Sequence, residues 1–165
     1  MTLGVPTPNL PFVKTLREEL RQGKPFRTLR EEAALNIART DARIHDGVER
    51  LLAPYGLSAT QYNVLRILRG AGMAGLCRNE VRDRLLTRMP DVTRLLDRME
   101  AAGLIERVRD TGDRRMVNTT LTAQGKSLVD SLDNAIDQEH LRQLGHLSND
   151  QLQTLIDLLS LVRNP

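Results

Sequence analysis

The sequence predicts a mainly α chain that carries one small two-stranded β wing. Three observations carry that reading. Apolar residues recur at helical steps of three and four through most of the chain, strict alternation is confined to residues 104–121, and capping-box patterns head three of the helical stretches. The 165 residues suit one modest domain with additional helices, and 40% hydrophobic content is enough to bury a core.

The elements follow in order. Proline-bearing stretches at 4–11 and 23–25 bracket a short amphipathic segment, Phe12 to Arg21, which reads as a brief leading helix. Thr28 with Glu31 then opens a long helix through Leu29, Ala33, Ile37, Ile44, Val48, Leu51 and Leu52, ended by Pro54 and Gly56. Ser58 with Gln61 opens the next, which bears Tyr62, Leu65, Ile67 and Leu68 and runs into Gly70, Gly72 and Gly75. A short helix from about Arg78 to Leu86 comes third. Thr87 is positioned to cap a fourth with Pro90 in its first turn, burying Val92, Leu95, Leu96 and Met99.

The period then changes to two. Ile105, Arg107 and Arg109 alternate with Leu104, Glu106 and Val108, and Val117, Thr119 and Leu121 with Met116, Asn118 and Thr120. Asp110-Thr111-Gly112-Asp113-Arg114 between them is a charged turn. Thr122 caps a helix of about 20 residues with Leu128, Val129, Leu132, Ala135 and Ile136 on its apolar face. Ser148 with Gln151 opens the last helix, lined by Leu152, Leu155, Ile156, Leu159 and Val162.

Charge is distributed unevenly along these elements. Residues 57–126 are net +5, whereas residues 127–165 are net −4, so the middle of the chain is the candidate footprint for a polyanion. Of the 24 basic residues 21 are arginine, whose planar fork suits phosphates and guanine edges. A GC-rich coding genome yields the same bias, so the placement of the arginines weighs more than their number.

Helix, helix, helix, strand, loop, strand is the order of a winged helix-turn-helix, whose last helix fits a major groove and whose hairpin reaches an adjacent minor groove. Around the wheel of residues 87–101, Thr87, Arg88, Pro90, Asp91, Thr93, Arg94, Asp97 and Arg98 lie away from the apolar stripe. Arg94 is almost opposite that stripe, the position for a bidentate contact to guanine. Asp97 suits a tether that fixes a neighbouring arginine. Arg107, Thr111, Arg114 and Arg115 are the candidate wing contacts.

Four runs then stand in a familiar order: Leu57-Ser58-Ala59-Thr60-Gln61-Tyr62, Asp91-Val92-Thr93-Arg94-Leu95-Leu96-Asp97-Arg98-Met99, Asp110-Thr111-Gly112-Asp113-Arg114-Arg115 and Leu121-Thr122-Ala123-Gln124-Gly125. Over about residues 28–163 the pattern resembles the MarR family of bacterial transcriptional regulators, most specifically in 87–125. The resemblance implies a symmetric homodimer in which the first helix and the last two interlock with those of the partner, while two winged modules bind successive half-sites of a palindrome in double-stranded DNA. It divides the chain into an N-terminal extension (1–25), a helical dimerisation region (26–56 and 122–165) and a winged DNA-binding domain (57–121). Of Arg114 and Arg115, it implies that one enters the minor groove while an acid holds the other, with the assignment open.

The family's regulators respond to small aromatic acids, drugs or oxidants in a crevice between the dimer helices and the winged module. His45, Tyr62 and Arg66 are the candidate residues for such an aromatic or phenolic effector, set against ordinary packing or exposure for each. Cys77, at the mouth of the third helix beside Arg78, is the redox candidate, because a helix N-terminus and a guanidinium favour the reactive thiolate.

Other chemistries find little here. His45, His140 and His146 are scattered without ligand spacing, so no metal site is expected. There is no phosphate-cradling glycine loop, nucleophile elbow or HExxH, and neither an enzyme nor a cofactor is expected. No apolar run approaches the roughly 18–20 residues that span a bilayer. Residues 1–12 carry three prolines and lack the pattern of a secretory signal, so a soluble cytoplasmic protein without a membrane partner is expected.

The expected function is therefore a sequence-specific DNA-binding repressor, relieved by a small molecule or oxidant. The alternative is a winged-helix dimerising adaptor that works through protein–protein contacts, which the retained arginines Arg94, Arg98, Arg107, Arg114 and Arg115 disfavour. Single-stranded binding is a third reading. It calls for exposed aromatics, and this chain has only Phe12, Phe26, Tyr55 and Tyr62, none of them in the hairpin.

Overall fold

The computed structural model describes residues 14–109 and 117–164, and these fall into two compact units, residues 1–43 and 44–165. In the first unit, α1 (Leu16–Glu19) buries Leu16 and starts from a capping box in which Thr15 accepts from the Glu18 N–H. Glu19 at its end reaches Arg39 (3.6 Å) and Arg43 (3.5 Å) on α2 (Leu29–Leu52). Thr28 caps α2 as its spacing with Glu31 predicts, the Glu31 N–H donating to its hydroxyl at 3.1 Å.

The second unit holds the core. Beyond Gly56, Ser58 and Gln61 close a reciprocal box at the head of α3 (Ala59–Ala71). Glu49 of α2 accepts from the Ala59 N–H at 2.7 Å, placing a carboxylate at the positive end of α3. Then come β1 (Leu76–Cys77), α4 (Arg78–Arg84), α5 (Val92–Ala101), β2 (Ile105–Arg109), β3 (Val117–Leu121), α6 (Ala123–Leu144) and α7 (Asn149–Arg163). One cluster joins Tyr62, Val64, Leu65 and Leu68 of α3 to Val92, Leu95, Leu96 and Met99 of α5 and to Val129, Leu132 and Ile136 of α6. The stripes expected on α3, α5 and α6 thus supply the core, whereas Leu29 and Ile37 of the α2 stripe and Leu155, Ile156 and Val162 of the α7 stripe are exposed.

Besides α1, which is shorter than the stretch from Phe12 to Arg21 expected for it, three details differ from the expected layout. The sheet has three strands in the order β1-β3-β2, because Leu76 and Cys77 pair antiparallel with Thr119 and Asn118. A two-residue strand is too short to show alternation, so only the β2–β3 hairpin is legible in sequence. Gly75 makes the pairing possible: its φ is +65°, and a Cβ there would lie 2.6 Å from the Thr119 carbonyl oxygen. Secondly, α4 ends at Arg84, two residues earlier than its periodicity suggests.

Thirdly, Thr87 does not cap α5. The cap is Asp91, whose carboxylate accepts from the Arg94 N–H at 3.0 Å. Pro90 disfavours helical backbone at the residue before it, which blocks a start at Thr87 and hands the cap to the next good acceptor. Residues 85–91 form a loop instead, and its Leu86 N–H is held by Asn63 Oδ1 of α3 at 3.0 Å.

Two charged clusters bind α6 to its neighbours. Arg69 of α3 donates to Asp133 (2.8 and 2.9 Å) and Asp130 (3.0 Å), and Lys126 also donates to Asp130 (2.6 Å). Near the other end, Gln143 donates to the Ile44 carbonyl (3.1 Å) and to Glu139 (2.7 Å), and Arg142 forks onto Glu139. Lys126 and then Arg69 lower the pKa of Asp130, Arg69 lowers that of Asp133, and Arg142 lowers that of Glu139. Carboxylates depressed in the folded state stabilise it above their ordinary value of about 4, and the contribution is lost as pH falls through the depressed value. The Tm of wild type should therefore exceed that of Arg69→Met at neutral pH, with the gap closing as pH falls below the ordinary carboxylate value of about 4. A gap independent of pH, followed by circular dichroism, would contradict this.

Candidate nucleic-acid interface

The helical repeat of α5 decides which groups are available outside. Val92, Leu95, Leu96 and Met99 are each at most 4% exposed, which leaves Thr93, Arg94, Asp97 and Arg98 on the solvent face. Arg94 is wide open, with its side chain 84% exposed and ion-paired to Asp91 (3.1 Å). That aspartate also caps the helix, so one carboxylate both starts α5 and steadies the guanidinium beside its N-terminus. Arg98 is drawn along the helix, its Nε donating to the Arg94 carbonyl at 3.3 Å.

Asp97 performs the tethering expected of it, and its partner is Arg107. The Arg107 guanidinium donates to Asp97 at 2.6 Å and lies 3.5 Å from Glu100. Arg107, a candidate wing contact, is thus half-buried and ion-paired across β2 and α5. Thr111, Arg114 and Arg115 lie outside the described residues. Thr87, Arg88 and Pro90 belong to the loop that precedes α5, where Thr87 and Arg88 are exposed.

Further arginines gather on α4. Arg78 makes a long contact to the Thr93 hydroxyl (3.4 Å), Arg82 pairs with Asp83 (2.9 Å), and Arg84 is exposed near the start of the loop that carries Arg88. Motif reading passes over Arg78, Arg82 and Arg84 by weighing α5 and the hairpin alone. The recurrence of arginine at 78, 82, 84 and 88 is the available signal. Together α4, the loop and α5 present fixed cationic forks around one exposed helix, an arrangement that fits the width and charge of a major groove.

The effector candidates do not converge in the same way. Tyr62 is a core residue at 5% exposure, its phenol pKa raised by that burial. His45 is half-exposed and sits 3.5 Å from Glu49, and Arg66 is exposed. A cavity of about 520 Å³ between α3, the outer sheet face and α6 is lined by Leu68, Arg69, Met73, Glu106, Val108 and Lys126 among others. A second, of about 410 Å³, lies among Cys77, Arg78, Asn79, Thr93, Leu96 and Arg107. None of His45, Tyr62 and Arg66 lines either one. Cys77 is half-buried, and its N–H donates to Glu80 at 2.8 Å, which lowers the pKa of that acid and sets a carboxylate beside the thiol. Among the described residues no cluster of His, Cys, Asp and Glu is placed to hold a metal ion, and no helix is long and apolar enough to cross a membrane.

A three-helix module whose last helix presents arginines outward, joined to a short antiparallel sheet, defines a winged helix-turn-helix protein of the duplex-binding class. Residues 55–116 match the MarR family model. A crystal structure of a MarR transcription factor from Planctomyces limnophilus is 41% identical, covering 83% of this chain and 99% of that one, with a TM-score of 0.63. The HTH-type transcriptional regulator PecS of Dickeya dadantii is 30% identical over 106 residues, which span 64% of this chain and 61% of PecS. A cysteine-to-serine mutant of E. coli MarR, crystallised in complex with operator DNA, is 26% identical with a TM-score of 0.72, covering 80% of this chain and 93% of that one. The chain belongs to the MarR family, a family of DNA-binding transcriptional regulators.

Proposed function

We propose that the protein acts as a homodimer that occupies a palindromic operator in double-stranded DNA and represses transcription until a small-molecule or oxidant signal releases it. The observation that carries the DNA reading is the division of α5 into a buried apolar face and an outer face presenting Thr93, Arg94 and Arg98. The complex of E. coli MarR with its operator supports the same use of the shared fold here.

The dimer reading rests on surface that a lone chain leaves uncovered. No residue of α7 is buried, and Ile156, Leu158, Leu161 and Val162 are 54–68% exposed. Leu29, Leu35 and Ile37 of α2 are at least 40% exposed as well. Apolar area on that scale, on helices of 15 and 24 residues, calls for a partner, and a second copy supplies one by symmetry. Residues 26–56 with 122–165 are then the dimerisation region, 57–121 the DNA-binding domain, and 1–25 an extension that leads into α2.

Sedimentation with duplexes selected from random sequence tests both parts. The expected species is a dimer that prefers a palindrome to scrambled duplex and to single strands, with log K falling against log salt at a slope near −0.9 per phosphate neutralised. A monomer, or binding indifferent to salt, would overturn the proposal.

A further inference from the structure

Arg69 occupies the last turn of α3, a helix that the DNA-reading face does not include, yet it makes the most complete ion pairing described in the molecule. One face of its guanidinium takes both oxygens of Asp133, at 2.8 and 2.9 Å, and the same fork reaches Asp130 at 3.0 Å. The two acids stand one turn apart on α6, and Lys126 on the preceding turn holds the second oxygen of Asp130 at 2.6 Å. With Arg69 only 30% exposed, the hydrogen bonds it donates to Asp133 and Asp130 hold it firmly protonated, its pKa raised above the ordinary arginine value.

The remainder of the α3–α6 seam is apolar, Leu65 and Leu68 sharing a core cluster with Val129 and Leu132. Apolar contact has little directional preference, so that seam resists separation more than rotation. A bidentate fork is directional. It fixes how α3 is turned on α6. From the end of α3 the chain passes through Gly72 and Gly75 into β1 and α4, and Asn63 of α3 holds the Leu86 N–H of the loop before α5. Any turn of α3 is therefore carried into the recognition helix. At its other end α6 is bonded to α2 through Gln143 and the Ile44 carbonyl, in the region assigned to dimerisation.

We propose that Arg69, held by Asp130 and Asp133, is a positioning residue that sets the angle of α5 to α6 and thereby the half-site separation that the dimer accepts. The inference rests on the two-fold reading given under Proposed function. It makes Arg69 a determinant of operator specificity without contact to DNA. Lysine at the same place keeps the charge and loses the fork.

The test uses the full chain on duplexes whose two selected half-sites are stepped by single base pairs around one helical turn, roughly 34–36 Å. Wild type should favour one separation over its neighbours by about tenfold, the worth of one strong charge-assisted hydrogen-bond set. Arg69→Lys and Asp133→Asn should each flatten that preference to about threefold or less while affinity for an isolated half-site is unchanged. A purely stabilising role would lower Tm and leave the spacing profile as in wild type, and that result would overturn the proposal. Equal loss on isolated half-sites would overturn it too. A wild-type chain that binds one half-site as tightly as a pair would instead overturn the two-fold reading and the positioning role with it.

Discussion

Arg94→Ala should abolish most of the discrimination between operator and scrambled duplex while leaving non-specific binding nearly intact. Its side chain is 84% exposed and is paired with the cap residue Asp91, so it can turn to a base edge without breaking the core. A bidentate arginine–guanine contact contributes about 1–3 kcal/mol of discrimination, and two-fold use of the residue doubles that to roughly 30-fold or more. Competition gel shifts at fixed salt read the ratio directly. Arg84→Ala serves as the contrast, expected to weaken operator and scrambled duplex alike and, counted in both protomers, to reduce the salt slope by about 2. A full specificity ratio retained in Arg94→Ala would remove α5 from the reading role.

Gly125→Ala should have the largest effect on stability. The N–H of Gly125 donates to the Thr122 hydroxyl at 3.0 Å, and that hydroxyl donates to the Gly103 carbonyl at 2.7 Å. The first turn of α6 is thereby pressed onto the end of the α5–β2 connection, and a methyl on Gly125 would overlap the Leu104 carbonyl. That carbonyl is held by the Thr122 N–H at 3.2 Å, so relief requires backbone movement at the junction of wing and helix. A cost of about 3 kcal/mol is expected, equivalent to a fall in Tm of roughly 6–12 °C. Gly70→Ala on α3, where an added Cβ meets nothing within 4 Å, should instead stabilise by about 0.5–1 kcal/mol. Matching gains at both positions would show that helix propensity, rather than the close approach, governs residue 125.

What the sequence reveals here is set by how local each interaction is. The buried faces of α3, α5 and α6 and the caps at Thr28, Ser58, Thr122 and Ser148 follow from spacings of three and four residues, and each appears where spacing puts it. Asp97 is legible as a tether because an acid among the arginines of a phosphate-facing surface needs a partner. That the partner is Arg107, ten residues away across a turn, depends on how the sheet lies against α5. The cap of α5 misleads because Thr87 and Asp91 are both good acceptors, and the restraint imposed by Pro90 decides between them. Two features need the assembled fold. β1 is defined wholly by its pairing with β3, and the Arg69 cluster joins residues more than sixty positions apart. No periodicity announces either.

The placement of β1 gives the hairpin a mechanical role. Because β3 lies between β2 and β1, the strand that rises from the wing is stitched on one side to its hairpin partner and on the other to the two residues that immediately precede α4. Tension on the hairpin passes along β3 into the base of α4, as a crank passes torque to a shaft. The wing therefore cannot act as an independent tether, and whatever grips its tip also levers the helix-turn-helix.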